Sequence, residues 1–155
     1  MEIRLATPED ALTLAALSHH VHDLHVEAEP ERYSEREDAS VAEQFGELVE
    51  SPVTEVLLVE LDGQAVGYAV VAGVECPPRR FAPARRWAQV DQIAVAPDAR
   101  RTGVGRALMD AAAQSARRRG YPEVQLDVRA HNEGARAFYE SLGYRVAQSR
   151  MQKSV

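Results

Sequence analysis

Hydrophobic positions along this chain switch between two spacings, and the switches mark out its elements. Ile3 and Leu5 alternate with charged neighbours, the period of a half-buried strand. Thr7-Pro8-Glu9-Asp10 then reads as a helix start, with Thr7 as N-cap, Pro8 at the first helical position and acids in the first turn. Leu12, Ala15, Ala16 and His19 follow at helical spacing and predict the inward face of a first helix. Pro30 and the polar stretch 31–38 read as a loop able to cover a site. Ser40 to Val49 reads as a second helix, with Val41, Phe45 and Leu48 on one side. Two strand-like runs, 56–61 and 65–74, are joined by Asp62-Gly63-Gln64, a hairpin turn.

After a Pro- and Arg-rich connection over 76–86 comes a β-branched run, Val90 to Val95, of the length of a buried strand. Pro97 and Asp98 stop it. Arg100-Arg101-Thr102-Gly103-Val104-Gly105 leads into a helix whose inward face is Leu108, Ala111, Ala112 and Ser115. Arg117, Arg118 and Arg119 suit its C-terminal dipole, and Gly120 takes the C′ position. Val124 to Val128 alternates as a strand. Glu133 to Leu142 reads as a short helix with Ala135, Phe138, Tyr139 and Leu142 on one face, and Tyr144 to Met151 as a final strand. An early hairpin and a later strand–helix–strand crossover predict one α/β domain over 1–155 around a mixed sheet.

Composition narrows the partners. The chain is 45% hydrophobic and 27% charged with a net charge of -6, an ordinary globular balance that argues against a general nucleic-acid or anionic-membrane binder. An acidic surface weakly favours a cationic substrate such as a protonated amine. Arg79-Arg80 and Arg85-Arg86 flank Phe81 and Trp87, but so short a basic segment on an acidic chain reads as a solvated loop. The single cysteine, Cys76, excludes an internal disulfide and reads as an inert strand-end thiol. No apolar run reaches membrane-spanning length, and Met1-Glu2-Ile3-Arg4 opens directly into a strand pattern. The expected location is the cytoplasm.

The glycine-bearing turn carries the chemistry. Amides at a helix start have no intrahelical acceptors and point at whatever lies before the helix, so a diphosphate is their natural occupant. Gly103 and Gly105 remove Cβ atoms that would hold a ligand away, and Arg100, Arg101 and Arg106 add positive charge. A strand–glycine–helix turn is also a common junction with no ligand. A dinucleotide fingerprint is disfavoured, because its third glycine and its early-strand setting are missing.

Arg100-x-x-Gly103-x-Gly105, directly after Ile93-Ala94-Val95, resembles the acyl-CoA pyrophosphate loop of the GNAT superfamily of N-acetyltransferases. Leu126 to Asn132, then Ala135, Phe138-Tyr139-Glu140 and Leu142-Gly143-Tyr144, is similar to the strand and helix forming that family's other cofactor wall. The resemblance covers Val56 to Tyr144 and implies the GNAT fold, a mixed sheet of about six strands with about four helices. It also implies acetyl-CoA as co-substrate, no metal, and transfer to a small-molecule or peptide amine by direct attack in a ternary complex. A non-catalytic acyl-CoA sensor of the same fold is the alternative. Homodimers are common in such folds, though no residue here points to one.

The resemblance assigns roles to residues. Backbone groups of Ile93, Ala94 and Val95 would pair with the pantetheine arm, with the Val95 N–H facing the thioester oxygen. Arg101, Thr102, Gly103, Val104, Gly105 and Arg106 would supply donors to the pyrophosphate. Asn132 resembles the asparagine that binds pantetheine, and by itself also reads as the N-cap of the helix from Glu133. Tyr139 is the expected acid for the leaving thiolate, since a phenol titrating near 10 keeps its proton at neutral pH. Strand alternation puts Gln89, Asp91 and Ile93 on one face. Asp91 is the candidate to accept the amine proton or fix the ammonium, while Gln89 borders the substrate and cannot be a base. His19, His20, His22 and His25 lack the further ligands zinc needs; they read either as exposed helix residues or, for His22 or His25, as groups that contact the acceptor or serve as base.

Overall fold

The computed structural model describes residues 1–33 and 36–154. Its centre is a five-stranded sheet in the order β1-β2-β3-β4-β5: β1 (Glu2–Leu5), β2 (Thr54–Leu61), β3 (Gln64–Cys76), β4 (Arg85–Val95) and β5 (Val124–Leu126). The first four strands pair antiparallel and β5 joins β4 in parallel, so the sheet is mixed. The β2–β3 hairpin closes through Asp62 (φ 51°) and Gly63 (φ 78°), both left-handed as a two-residue type I′ turn requires. Gln64, expected in the turn, is already in the ladder opposite Leu61.

Four helices cover the sheet: α1 (Ala11–Ala28), α2 (Asp38–Glu50), α3 (Val104–Arg118) and α4 (Glu133–Ser141). One core cluster joins α1 and α2 to the sheet through Leu14, Phe45, Leu58, Tyr68, Val70 and Ala94. The other joins α3 to the opposite face through Val59, Val71, Val90, Val104, Leu108 and Met109. α3 ends in a Schellman motif: the Tyr121 N–H bonds Ala116 O and the Gly120 N–H bonds Arg117 O, with Gly120 at φ 75°. α4 ends the same way at Gly143, with Tyr144 donating to Tyr139 O. No helix among the described residues is long and apolar enough to cross a membrane.

Three expectations need correction. The chain enters α1 through a 3-10 turn, Pro8–Asp10, where Thr7 and Asp10 form a capping box. The buried face is Leu14, Ala15, Leu17 and Ser18, whereas Leu12 is 72% exposed and Ala16 faces solvent. Helical spacing alone fits either stripe, and contact with the sheet selects between them. β5 stops at Leu126, short of the expected Val128. Residues 144–154 form no strand, although their alternation predicts one; Val146 and Met151 stay exposed, because no neighbouring edge takes up their backbone. The sheet therefore has five strands.

Candidate active site

β5 covers only part of the outer edge of β4, pairing Val124–Leu126 with Ala88–Val90. From Gln92 to Val95 the inner edge of β4 pairs with β3, while no strand among the described residues pairs with its outer edge. The strands thus part after Val90 and leave a cleft. The register against β3 also slips there: Val71 opposes Val90 and Val70 opposes Gln92, so Asp91 is the extra residue of a bulge. Its effect on the backbone is visible at both ends. The Ala88 N–H donates outward to Glu123 O (2.9 Å), whereas the Ala96 N–H donates inward to Val66 O (2.8 Å). In an unbroken strand, residues 88 and 96 would point the same way. The bulge therefore turns the N–H and C=O groups of Ile93 and Val95 onto the open edge. Arg100 Nε already donates to the Val95 carbonyl there (3.2 Å).

The same bulge overturns the expected alternation of side chains. Ala88, Val90, Ile93 and Val95 all pack toward α3, while Ala94 belongs to the α1/α2 cluster. Gln92 lies on the α1/α2 side, accepting a hydrogen bond from Tyr68 Oη (3.0 Å). Gln89 shares that side with Trp87, whose Nε1 donates to Gln89 Oε1 (3.1 Å). Gln89 and Ile93 are therefore on opposite faces.

Beyond Val95, a short 3-10 turn, Pro97–Ala99, leads into the glycine-bearing loop, which Thr102 Oγ1 tightens by bonding Ala99 O (2.6 Å). Arg101 adopts φ 62° and Gly103 φ 93°, and the first helical bond runs from the Ala107 N–H to Gly103 O. The N–H groups of residues 101–106 have no acceptor among the described residues, and Arg101 and Arg106 are exposed without an acidic partner. The two glycines serve different ends. Gly103 has open space around its missing Cβ and is set by its backbone angle. A Cβ on Gly105 would lie 3.3 Å from Phe138 Cζ, so that glycine seats α4 against the start of α3.

That contact brings Tyr139 to the cleft wall. Tyr139 packs on the same cluster as Ile93 and Val95, with Phe138 (centroids 5.1 Å) and Tyr144 (6.0 Å) around it. Burial, then the neighbouring Tyr144, pushes its phenol above the ordinary value, so it holds its proton at neutral pH. Asn132 caps α4, its Oδ1 accepting from the Ala135 N–H (3.0 Å), which leaves its amide nitrogen for another partner. Across the cleft Gln89 Nε2 donates to Asp127 Oδ2 (3.5 Å). Partial burial, then the Asp127 carboxylate, raises the Asp91 carboxyl. A cleft with an open strand edge, unpaired helix-start amides, a protonated phenol and the carboxylates of Asp91 and Asp127 can hold an anionic extended ligand and move protons beside it.

The model of the acetyltransferase (GNAT) family matches residues 18–144. The chain belongs to that family. The [ribosomal protein bS18]-alanine N-acetyltransferase of Escherichia coli K12 is 47% identical over 58 residues, which are 37% of this chain and 39% of that protein. The match thus spans about two fifths of its length (39%). Among solved structures, a tetramutant of the BH1408 protein of Bacillus halodurans superposes with a TM-score of 0.94 at 27% identity, covering 100% of both chains. The aminoglycoside N-acetyltransferase AAC(6')-Iy, solved with CoA, shares the fold at 16% identity, with a TM-score of 0.80 over 99% of this chain and 93% of that one.

Within this GNAT chain the expected residues fall into three groups. Ile93 and Val95 lead into the loop from Arg100 to Arg106, with Tyr139 packed on the same cluster and Asn132 capping the helix that carries it, while the Ala94 side chain is buried on the α1/α2 side. Gln89 meets Asp127, whose charge also reaches Asp91. His22 and His25 lie at the end of α1, around Tyr33: the His25 ring stacks on Tyr33 at 5.0 Å and His22 meets it edge-on at 6.2 Å. His19 instead pairs with Asp38 (2.5 Å). Asp127 received no role from sequence. The parallel register that sets Gln125 beside Gln89 brings it two residues later to the level of Asp91, and registers between distant strands are not written in either strand's sequence.

Proposed function

We propose that this protein is an N-acetyltransferase that moves the acetyl group of acetyl-CoA to a primary amine by direct attack, without an acyl-enzyme. The observation that carries the reading is the outward turn of the Ile93 and Val95 backbone onto an open edge that leads into unpaired amides at 101–106. Those groups fit an acyl-CoA: the loop amides with Arg101 and Arg106 match a diphosphate, and the strand edge matches an amide-bearing arm. When bound, acetyl-CoA supplies an activated acyl carbon with a thiolate leaving group.

This chain's residues do the rest. Val95 offers its N–H to the acyl oxygen as charge builds there. Asp91, helped by Asp127, takes the ammonium proton, directly or through water, so that the nitrogen lone pair can form the new C–N bond. As the C–S bond breaks, Tyr139 gives its proton to the departing sulfur and regains one from the attacking nitrogen, which sheds its second proton on becoming an amide. Holding both reactants in one cleft contributes several kcal/mol, on the order of the 7–11 kcal/mol attainable when the geometry is near attack. The acceptor is a primary amine on a small molecule or peptide. That class is supported by the family and by the relative that acts on ribosomal-protein alanine. The test is a panel of amines, including amino acids, polyamines, aminoglycosides, lysine and N-terminal peptides, read by release of the CoA thiol. Turnover of one class is expected. Tight CoA binding with no thiol release for any amine would establish the sensor reading instead, and no CoA binding would end both.

A further inference from the structure

Around the mouth of the cleft, outside the groups used above, one carboxylate is surrounded by guanidinium groups. Glu29 caps α1, its N–H bonding His25 O (2.9 Å). Its side chain is 19% exposed, and Oε2 is out of contact with water yet accepts no hydrogen bond among the described residues. Arg129 Nε lies 3.6 Å from Oε2, and Arg32 Nε lies 3.6 Å from Oε1. Arg129 also donates from Nη2 to Tyr33 Oη (2.8 Å) and sits over the Tyr33 ring at 5.8 Å. Arg32 donates to Gln152 Oε1 (2.8 Å), which ties in the C-terminal tail.

The placement of Arg129 gives this cluster its meaning. It lies two residues beyond Asp127 and three before Asn132, between the cleft acid and the cap of the helix that carries Tyr139. We propose that Glu29 and Arg129 are positioning residues for the amine acceptor: their ion pair fastens the segment leaving α1 to the β5–α4 turn and so fixes the mouth of the cleft in front of Asp91 and Asp127. The acceptor half of this statement rests on the function proposed above; the fastening itself does not. Glu29, Arg32, Tyr33 and Arg129 belong to neither core cluster, so loosening them leaves the fold intact. With Oε2 accepting no hydrogen bond among the described residues and both guanidinium groups at 3.6 Å, the carboxylate acts here through its charge, and glutamine keeps its shape while removing that charge.

The test compares Glu29→Gln, Arg129→Gln and the charge-reversed pair Glu29→Arg/Arg129→Glu with the parent. Amide hydrogen exchange is read first and needs no acceptor. Both single variants are expected to speed exchange together in 25–33 and 128–133 while α3 stays protected, with melting temperature within about 2 °C of the parent. Kinetics with the fastest amine of the panel are read second. The single variants raise the amine KM about tenfold with kcat and the calorimetric CoA affinity unchanged, and the reversed pair recovers part of the loss. Unchanged exchange in either segment overturns the fastening. Faster exchange with an unaltered amine KM, or an equal loss in CoA affinity, overturns the positioning role. If the parent turns over no amine, the acceptor role fails with the proposed function, while exchange still decides whether the pair fastens the mouth.

Discussion

The two glycines of the loop make a sharp test, because they are glycine for different reasons. At Gly103 the backbone sits at φ 93° with nothing within 4 Å of the point a Cβ would occupy, so Gly103→Ala meets no clash but must hold a left-handed angle. That strain costs about 1–2 kcal/mol. A domain of this size should then melt about 2–8 °C lower, or the loop should relax to relieve the strain. Relaxation would turn away one or more of the 101–106 amides. Each hydrogen bond lost to a charged diphosphate is worth about 1.5–3 kcal/mol, or roughly ten- to a hundredfold in CoA affinity. At Gly105 the angle is helical and the only neighbour is the Phe138 ring, 3.3 Å from the new methyl carbon at its nearest atom. A shift of a few tenths of an ångström in that ring accommodates alanine. The about 1 kcal/mol by which alanine is favoured over glycine in a helix offsets the squeeze. Gly105→Ala should therefore melt near the parent and bind CoA within about threefold of it. Thermal unfolding and calorimetric titration with CoA read both variants. Parent-like stability and CoA affinity in Gly103→Ala would refute the reasoning, as would a severe loss of affinity in Gly105→Ala without unfolding.

Three further outcomes follow from the cleft. Tyr139→Phe should lower kcat by about a hundredfold or more, the usual contribution of a positioned acid, while calorimetry finds CoA affinity unchanged. For Asp91, burial and Asp127 raise the folded value above the unfolded 3.8. The folded state thus holds this proton more tightly, and the group's contribution to stability falls as pH rises from near 3.8 to the folded value, then stays level. Asp91→Asn should be the more stable protein above that window, with the difference closing at acid pH, as urea titrations at several pH values would show. Asp127→Asn should move the acid limb of kcat/KM to lower pH; a limb that stays in place would exclude coupling between the two carboxylates.

Much of this was legible in the residue pattern, and the exceptions share a cause. The hairpin at Asp62-Gly63, the strand–loop–helix unit through Gly103 and the Asn132-capped α4 are local features, specified by residues within a few positions of one another. What the pattern missed depends on partners far along the chain. Leu14 and Leu17 displace Leu12 and Ala16 from the core because the sheet meets one stripe of α1 and not the other. The alternation over 144–154 makes no strand without an edge to pair with. Asp127 becomes a neighbour of Asp91 through strand register, and Arg129 meets Glu29 across a hundred residues of sequence. The expected face shared by Gln89, Asp91 and Ile93 failed for a subtler reason. Period-two counting assumes a regular ladder, and a bulge leaves no mark in residue types.

That one surplus residue acts as a change of reading frame. Upstream of Asp91 the strand spends its outward amides on a neighbour; downstream it offers the opposite set to solvent. A β4 that kept residue 91 but paired without the bulge would have every hydrophobic residue and every glycine of the loop unchanged, yet it would send the Ile93 and Val95 amides into the sheet and their side chains to the wrong layer. Two chains alike at every named position, but differing in whether this residue is bulged out of the ladder, would be expected to differ in which amides the outer edge of β4 offers.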